Sequence, residues 1–213
     1  MNKPRVLLAD DHRMVAEGLR SVLDDEFDLI EIVEDGRALV QTFSDLKPDV
    51  VVTDFAMPHL NGIDALVQLK RIDPDVRVVL LTMHKEVAYA RRALQAGALG
   101  YVLKHSAATE LVLAVRAALE GRTYITPAIA GEVLLAFQQD PGRGIDPAAA
   151  LTPRQREIVQ LLAEGLSAKA IAAKLDISPR TVEYHKYQMM ETLKLESNAE
   201  LIHFAIKHGI VAV

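Results

Sequence analysis

The sequence predicts an α/β protein, a five-stranded parallel doubly wound sheet, followed by a small all-α domain of four helices. Three observations carry this reading. Short β-branched runs alternate with amphipathic stretches up to about residue 121, a segment interrupted by proline and glycine follows at 138–150, and the remainder is helical in period throughout. A chain of 213 residues suits two domains better than one.

The strand runs are RVLLA (5–9), LIEIV (29–33), DVVVT (49–53), VRVVLLT (76–82) and GYVLK (100–104). They lack strict alternation of apolar and polar residues, as strands covered on both faces should. Between and after them, helical patterns fall at 13–23, 37–46, 62–71, 86–96 and 107–120, so a βα unit repeats five times and the sheet must be parallel. A further helix follows Pro127, a residue suited to a first helical position, and runs through Phe137. QQDPGRGIDPAAA, from Gln138 to Ala150, can bury little and reads as a linker. The expected division is therefore 1–121, a connecting helix and linker at 122–150, and a helical domain at 151–213.

In the helical domain, patterns fall near 153–163, 167–174, 179–193 and 198–208. Thr152 before Pro153 and Ser178 before Pro179 each place a capping hydroxyl ahead of a proline at the first helical position. A short helix from Ser167 to Lys174, a tight turn over LDIS and a longer helix opened by Pro179 have the spacing of a helix-turn-helix. Ile171, Leu175, Ile177, Val182, Met189 and Leu193 fall at core spacing. This leaves an outward stripe of Arg180, Glu183, Tyr184, Lys186, Tyr187 and Gln188.

Composition narrows the function classes. Half the residues are hydrophobic and a quarter charged, the balance of a globular protein. There is no cysteine, which excludes disulfides and thiolate zinc sites, and the seven histidines show no metal-ligand pairing. The first residues lack the pattern of a signal peptide, and no apolar run approaches the roughly 20 residues that span a bilayer, so the expectation is a cytoplasmic protein with no membrane partner. The net charge of −5 conceals an asymmetry, with 15 basic against 19 acidic residues over 1–130 and 8 against 7 over 151–213. Any face for nucleic acid belongs to the C-terminal end.

Ligands of open parallel sheets bind at the carboxyl ends of the strands. There the sequence sets Asp10 and Asp11 after the first strand, Asp54 after the third, Thr82 after the fourth and Lys104 after the fifth. Crowded carboxylates repel one another and need a cation, and Mg²⁺ takes oxygen ligands of this kind. With Mg²⁺ on one side and Lys104 on the other, a phosphoryl group can sit on Asp54 while Thr82 donates to one of its oxygens. Singly each residue has a plainer role, Asp10-Asp11 as a helix cap and Lys104 as a solvated charge. Their shared position on four strands is what points to one site.

On ADDH, TDFAMPHLNG, LLTMH and GYVLK, residues 1–121 resemble a response-regulator receiver domain of the CheY-like kind, within the flavodoxin-like folds. The resemblance implies that Asp54 is the phosphoacceptor and that Asp11, Asp10, Asp54 and the backbone carbonyl of Ala56 hold Mg²⁺, Asp10 mainly through water. It implies that Lys104 holds the phosphoryl group, that Thr82 is the switch hydroxyl and that Tyr101 is the aromatic coupled to it. Ala56 and His84 stand at positions that tune dephosphorylation in that family, and His105 stands where proline or aspartate is common. The face formed by 86–96, 100–104 and 107–120 is the expected output surface, with Arg91 and Arg92 as exposed candidates for contact.

Residues 151–211 resemble a LuxR-type helix-turn-helix domain, and the whole chain resembles a response regulator of the NarL/FixJ subfamily. By that likeness Glu183, Tyr184 and Tyr187 face bases, while Lys186 and Gln188 lie near phosphates or the groove margin. Glu183 can accept from cytosine N4 or equally hold a neighbouring arginine in place. Lys169, Lys174, Arg180 and Thr181 are further candidates for backbone contact. Thr192 stands where a lysine is frequent. Helix 198–208 resembles the segment by which such domains pair, which implies a homodimer when active, on an inverted-repeat DNA operator. A sensor histidine kinase and RNA polymerase are the implied protein partners. No enzyme is expected: haloacid-dehalogenase phosphatases share the Asp, Thr and Lys set, but they resemble Asp-x-Asp after the first strand, whereas here the acidic pair comes first and Asp54-Phe55-Ala56 lacks the second acid.

Overall fold

The computed structural model describes residues 3–106, 108–139 and 147–211. The chain forms two compact units, Met1–Pro141 and Gly142–Val213.

In the first unit β1 (Arg5–Ala9), α1 (Arg13–Leu23), β2 (Asp28–Val33), α2 (Gly36–Leu46), β3 (Val50–Asp54), α3 (Gly62–Ile72), β4 (Val78–Thr82), α4 (Val87–Gln95), β5 (Gly100–Leu103) and α5 (Ala108–Leu119) alternate along the chain. β6 (Tyr124–Ile125) and α6 (Pro127–Gln139) follow. The strands pair in parallel in the order β2-β1-β3-β4-β5-β6. The two-residue period of a strand sends neighbours to opposite faces. Val6, Leu8, Val50, Val52, Val79, Leu81 and Val102 join Ala16, Leu23, Leu111, Ala114 and Val115 of α1 and α5 in one core. The alternate residues Leu7, Val51, Leu80 and Tyr101 are equally buried, as are Leu39, Phe43, Ile63, Leu66, Leu69 and Ala90 of α2, α3 and α4.

From β1 the chain crosses to β2 on one side, and from β3 to β4 on the other, so a crevice opens between the carboxyl ends of β1 and β3. Two glycines let the loops around it close in. A Cβ on Gly62 would lie 2.1 Å from the Asp54 carbonyl oxygen, and one on Gly36 would lie 2.1 Å from that of Leu60.

The sheet has six strands where the sequence predicts five. Gly100 and Tyr101 of β5 pair with Tyr124 and Ile125. Thr126 extends the ladder, its N–H donating to the Tyr101 carbonyl at 3.0 Å and its hydroxyl accepting from the Leu103 N–H at 3.1 Å. A strand of two residues is too short to leave a period in the sequence. The helix expected after Pro127, α6, packs against α4, so the expected output face is bordered by an unpredicted strand and adjoined by α6. Neither Arg91 nor Arg92 is the exposed side chain that was expected. The Arg92 side chain is only 13% exposed and lies 3.6 Å from Asp64, an acid in the first turn of α3.

The second unit holds a short 3-10 turn (Pro147–Ala150), α7 (Pro153–Ala163), α8 (Ala168–Leu175), α9 (Pro179–Leu193) and α10 (Asn198–Lys207). Thr152 and Gln155 form a reciprocal capping box on α7. Ser167, Ser178 and Ser197 each accept an N–H at the start of the next helix. α8 ends at Asp176 in a left-handed conformation, φ 52°, which turns the chain sharply into α9. Leu151, Ile158, Leu161, Ile171, Leu175, Val182, Met189, Leu201 and Ala205 form its core, with Ile177 and Leu193 packed alongside.

Candidate functional site

The crevice at the sheet's carboxyl edge gathers side chains that are far apart in sequence. Asp10 is fully buried where β1 ends, Asp54 is 3% exposed at the last position of β3, and Thr82 is fully buried at the last position of β4. Lys104 follows β5, and its Nζ lies 2.7 Å from Oδ2 of both Asp10 and Asp54. The contact to Asp54 has hydrogen-bond geometry, whereas no N–H or O–H among the described residues is aligned on Asp10 Oδ2. The other oxygen of Asp10 accepts the His12 N–H at 2.9 Å.

Burial pushes the Asp54 carboxyl above the usual carboxylate range. Lys104 and the Ala56 N–H pull it back and Asp10 pushes it further up. Burial would lower the Lys104 ammonium, but Asp54 and Asp10 more than reverse this and hold it above its ordinary value. A pocket with two buried acids on one ammonium, and with Asp11 at its mouth, has an excess of negative charge.

Ligand atoms of Asp10, Asp11, His12 and Asp54 lie within 4.8 Å of one another. The unaligned buried oxygen of Asp10 and the all-oxygen character of three of these groups fit a hard divalent cation. Sequence reasoning left His12 out of this cluster, although it stands directly after the acidic pair. Its Nδ1 is 2.8 Å from an Asp11 oxygen.

On the far side of Asp54, Thr82 Oγ1 accepts the His84 N–H at 3.0 Å, and the Tyr101 hydroxyl donates to the His84 carbonyl at 3.0 Å. Tyr101 is fully buried, which pushes its phenol well above the ordinary value. Phe55, directly after Asp54, meets the rings of His84 and Tyr89 at centroid distances of 5.3 and 5.1 Å, and those two rings meet at 5.0 Å. Sequence reasoning missed this three-ring cluster because the residues lie on three different elements. Asn61 caps α3, holds Asp64 at 2.7 Å and so sets the carboxylate that Arg92 approaches from α4.

In the second unit Arg180, Tyr184, Tyr187 and Gln188 are exposed on α9, with Tyr184 at 57% and Tyr187 at 64%. Lys169 is exposed on α8, while Lys174 and Thr181 are half-buried. Lys186 departs from the predicted stripe, because its side chain is only 12% exposed. It pairs with Glu183 one turn back, and its Nζ lies 5.2 Å from the centre of the Tyr187 ring. Glu183 thus holds a neighbouring basic side chain, but the partner is Lys186 and not the arginine expected from the sequence.

Comparison with known proteins places both units in known families. Residues 6–116 match the response regulator receiver domain, and residues 149–205 match the bacterial regulatory proteins of the luxR family. The response regulator UvrY of Escherichia coli is 35% identical over 208 residues, covering 96% of this chain and 94% of that protein. GacA of Pseudomonas viridiflava is 36% identical over 210 residues, covering 97% of each. Among solved structures, RcsB of Salmonella enterica serovar Typhimurium, bound to a promoter in the presence of phosphomimetic BeF3-, aligns with a TM-score of 0.61 at 29% identity, covering 97% of this chain and 100% of that one. With both domain models matched in order and relatives aligned along nearly the whole length, this chain belongs to the NarL/FixJ-type two-component response regulators, DNA-binding transcription regulators with a receiver domain and a LuxR-type domain.

Proposed function

We propose that Asp54 is the phosphoacceptor of this regulator and that its phosphorylation governs binding of the second unit to DNA. The observation that carries the reading is the meeting of Asp10, Asp54 and Lys104 at 2.7 Å contacts across 50 and more residues of sequence. A carboxylate oxygen of Asp54 attacks phosphorus. The O–P bond forms as the P–N bond of a kinase phosphohistidine breaks, which leaves the histidine its electron pair. Lys104 stands against the Asp54 oxygen and neutralises charge that builds on the phosphoryl oxygens. Asp10, Asp11, Asp54 and, by family likeness, the Ala56 carbonyl would hold Mg²⁺, which supplies the second positive charge when bound. Thr82 turns its hydroxyl to a phosphoryl oxygen, and its bond with the His84 N–H is the contact given up. Tyr101, tied to the His84 carbonyl, feels that exchange.

In the second unit α9 enters the major groove, Tyr184 and Tyr187 reach bases, and Lys169, Lys174, Arg180, Thr181 and Gln188 supply backbone contacts. A near-neutral domain gains little from the phosphate backbone, so a homodimer on an inverted repeat supports the affinity that one copy lacks. RNA polymerase is the expected downstream partner. Among the described residues no helix is long and apolar enough to cross a membrane.

The test is incubation with Mg²⁺ and a small phosphodonor such as acetyl phosphate, comparing the chain with Asp54→Asn. Wild type should gain a base-labile acyl phosphate and tighter operator binding, and the variant neither. Equal DNA binding by both, with no acyl phosphate in either, would reject the switch.

A further inference from the structure

α6 is packed on one side only. Ile129 and Val133 are buried, at 4% and 1%, whereas Leu134 and Leu135 stand 59% and 54% exposed. At 100° per residue, Ala128, Gly131, Leu134, Leu135 and Gln138 share the outward side. Glu132 is the only charged residue in the helix, and it lies at the margin of that side. A helix that is apolar all round belongs in an interior, so one side of α6 lacks its cover. The other exposed large apolar side chains of this unit's helices among the described residues, Met14, Val15, Ile72 and Leu113, sit on elements that also carry Arg or Lys. A Cβ on Gly131 would meet nothing within 4 Å, which leaves an open notch beside Leu135.

We propose that this side of α6 pairs with the same side of a second copy of the chain, about a two-fold axis near Gly131 and Leu135. The inference rests on the DNA-binding dimer reading and gives it a surface in the receiver unit. Two-fold pairing sets only the residues at the axis against their own copies, which disfavours charge there, and this stripe has none. The chain's length supports the same occupant. Residues 140–146 separate α6 from the turn at Pro147 and reach about 27 Å when extended. Reading helices on an inverted repeat stand about 34 Å apart. Two crossed helices, each about 20 Å long, keep both tethers within that range. The chain's own second unit offers less, because among its described residues two of the three exposed large apolar side chains, Tyr184 and Tyr187, lie on the helix assigned to DNA. One helix pair covers well below the roughly 1,200 Å² of a stable interface, so α6 pairing is weak alone and gains from pairing through α10 in the same dimer.

The chain has no cysteine, so single-cysteine variants of the full-length protein report contacts cleanly. Under mild oxidation without DNA, Leu135→Cys should form disulfide-linked dimers at least about tenfold faster than Met14→Cys or Ile72→Cys. Leu135→Glu should weaken binding to a full inverted repeat but not to a half-site, with acyl phosphate formation unchanged. Dimers trapped through Met14→Cys instead, or equal rates at all three positions, would overturn the proposal. So would slow thiol labelling of Leu135→Cys in a monomer, since that places the chain's own second unit on the stripe. A normal crosslink in a protein that binds no operator would reject the DNA reading and leave the α6 pairing standing.

Discussion

The Tyr101 hydroxyl donates to the main-chain carbonyl of His84 at 3.0 Å, and the same residue's N–H is held by Thr82. Tyr101→Phe keeps the ring in the core and removes this bond together with the hydroxyl's interaction with Thr82, leaving a part-buried carbonyl unpaired at a cost of about 1 kcal/mol. The acyl phosphate should form at the wild-type rate. The gain in operator affinity on phosphorylation, read by fluorescence anisotropy, should fall by about fivefold.

Lys104→Met removes the one ammonium that two buried acids share. Breaking such a group costs about 3–5 kcal/mol at neutral pH. Urea denaturation followed by circular dichroism should show this loss, reduced at low pH where the acids take up protons. Millimolar Mg²⁺ should stabilise the variant more than the wild type, because the cation then replaces the missing charge.

Asp54 makes stability fall with rising pH. Its folded value is raised above the ordinary 3.8, so between the two values the folded chain binds more protons than the unfolded one. Its contribution is greatest below 3.8 and declines as pH climbs through the raised folded value. Asp54→Asn removes that slope, so the stability difference between variant and wild type should grow with pH across this window. Denaturation midpoints collected from pH 3.5 upward, in the absence of Mg²⁺, measure it, and a flat difference would contradict the burial argument.

Gly62→Ala should be among the most damaging single changes outside the acids. The added methyl falls 2.1 Å from the Asp54 carbonyl oxygen, a main-chain atom that cannot rotate away. A loss of about 3 kcal/mol or more is expected, with slower phosphorylation because the phosphoacceptor backbone must shift. Gly18→Ala, where a Cβ meets nothing within 4 Å, is the control and should be neutral or slightly stabilising.

On the reading helix, Tyr187→Ala should reduce affinity for the operator more than for unrelated DNA, by about 1–3 kcal/mol. Lys169→Ala should weaken both alike and lower the salt dependence by about one unit of slope. Lys186→Ala should do less than its charge suggests, because that ammonium is already paired with Glu183 and mostly covered.

The fold was legible where burial imposes a period. β1 and α1 begin and end at the predicted residues, and the helix-turn-helix appears with its Ser178 cap in place, while Ser167, expected as the first residue of the short helix, caps it instead. The acids and the lysine were legible because strand ends in a parallel sheet share one rim. β6 was not, since two residues show no alternation and their pairing with β5 is set by tertiary packing. The same limit hid the Asp64–Arg92 pair and the burial of Arg92, which depend on how α4 lies beside α3. Lys186 looked exposed by its angle on the helix, yet its stem lies along the surface toward Glu183.

The three rings of Phe55, His84 and Tyr89 join the residue after Asp54 to the loop behind Thr82 and to α4. If the main chain at Phe55 is displaced, the imidazole and the phenol must either travel with it or lose ring contact, and the helix carrying Tyr89 also packs against α6. Contacts therefore run unbroken from the residue after Asp54 through α4 to α6, although these residues belong to separate elements of the sequence.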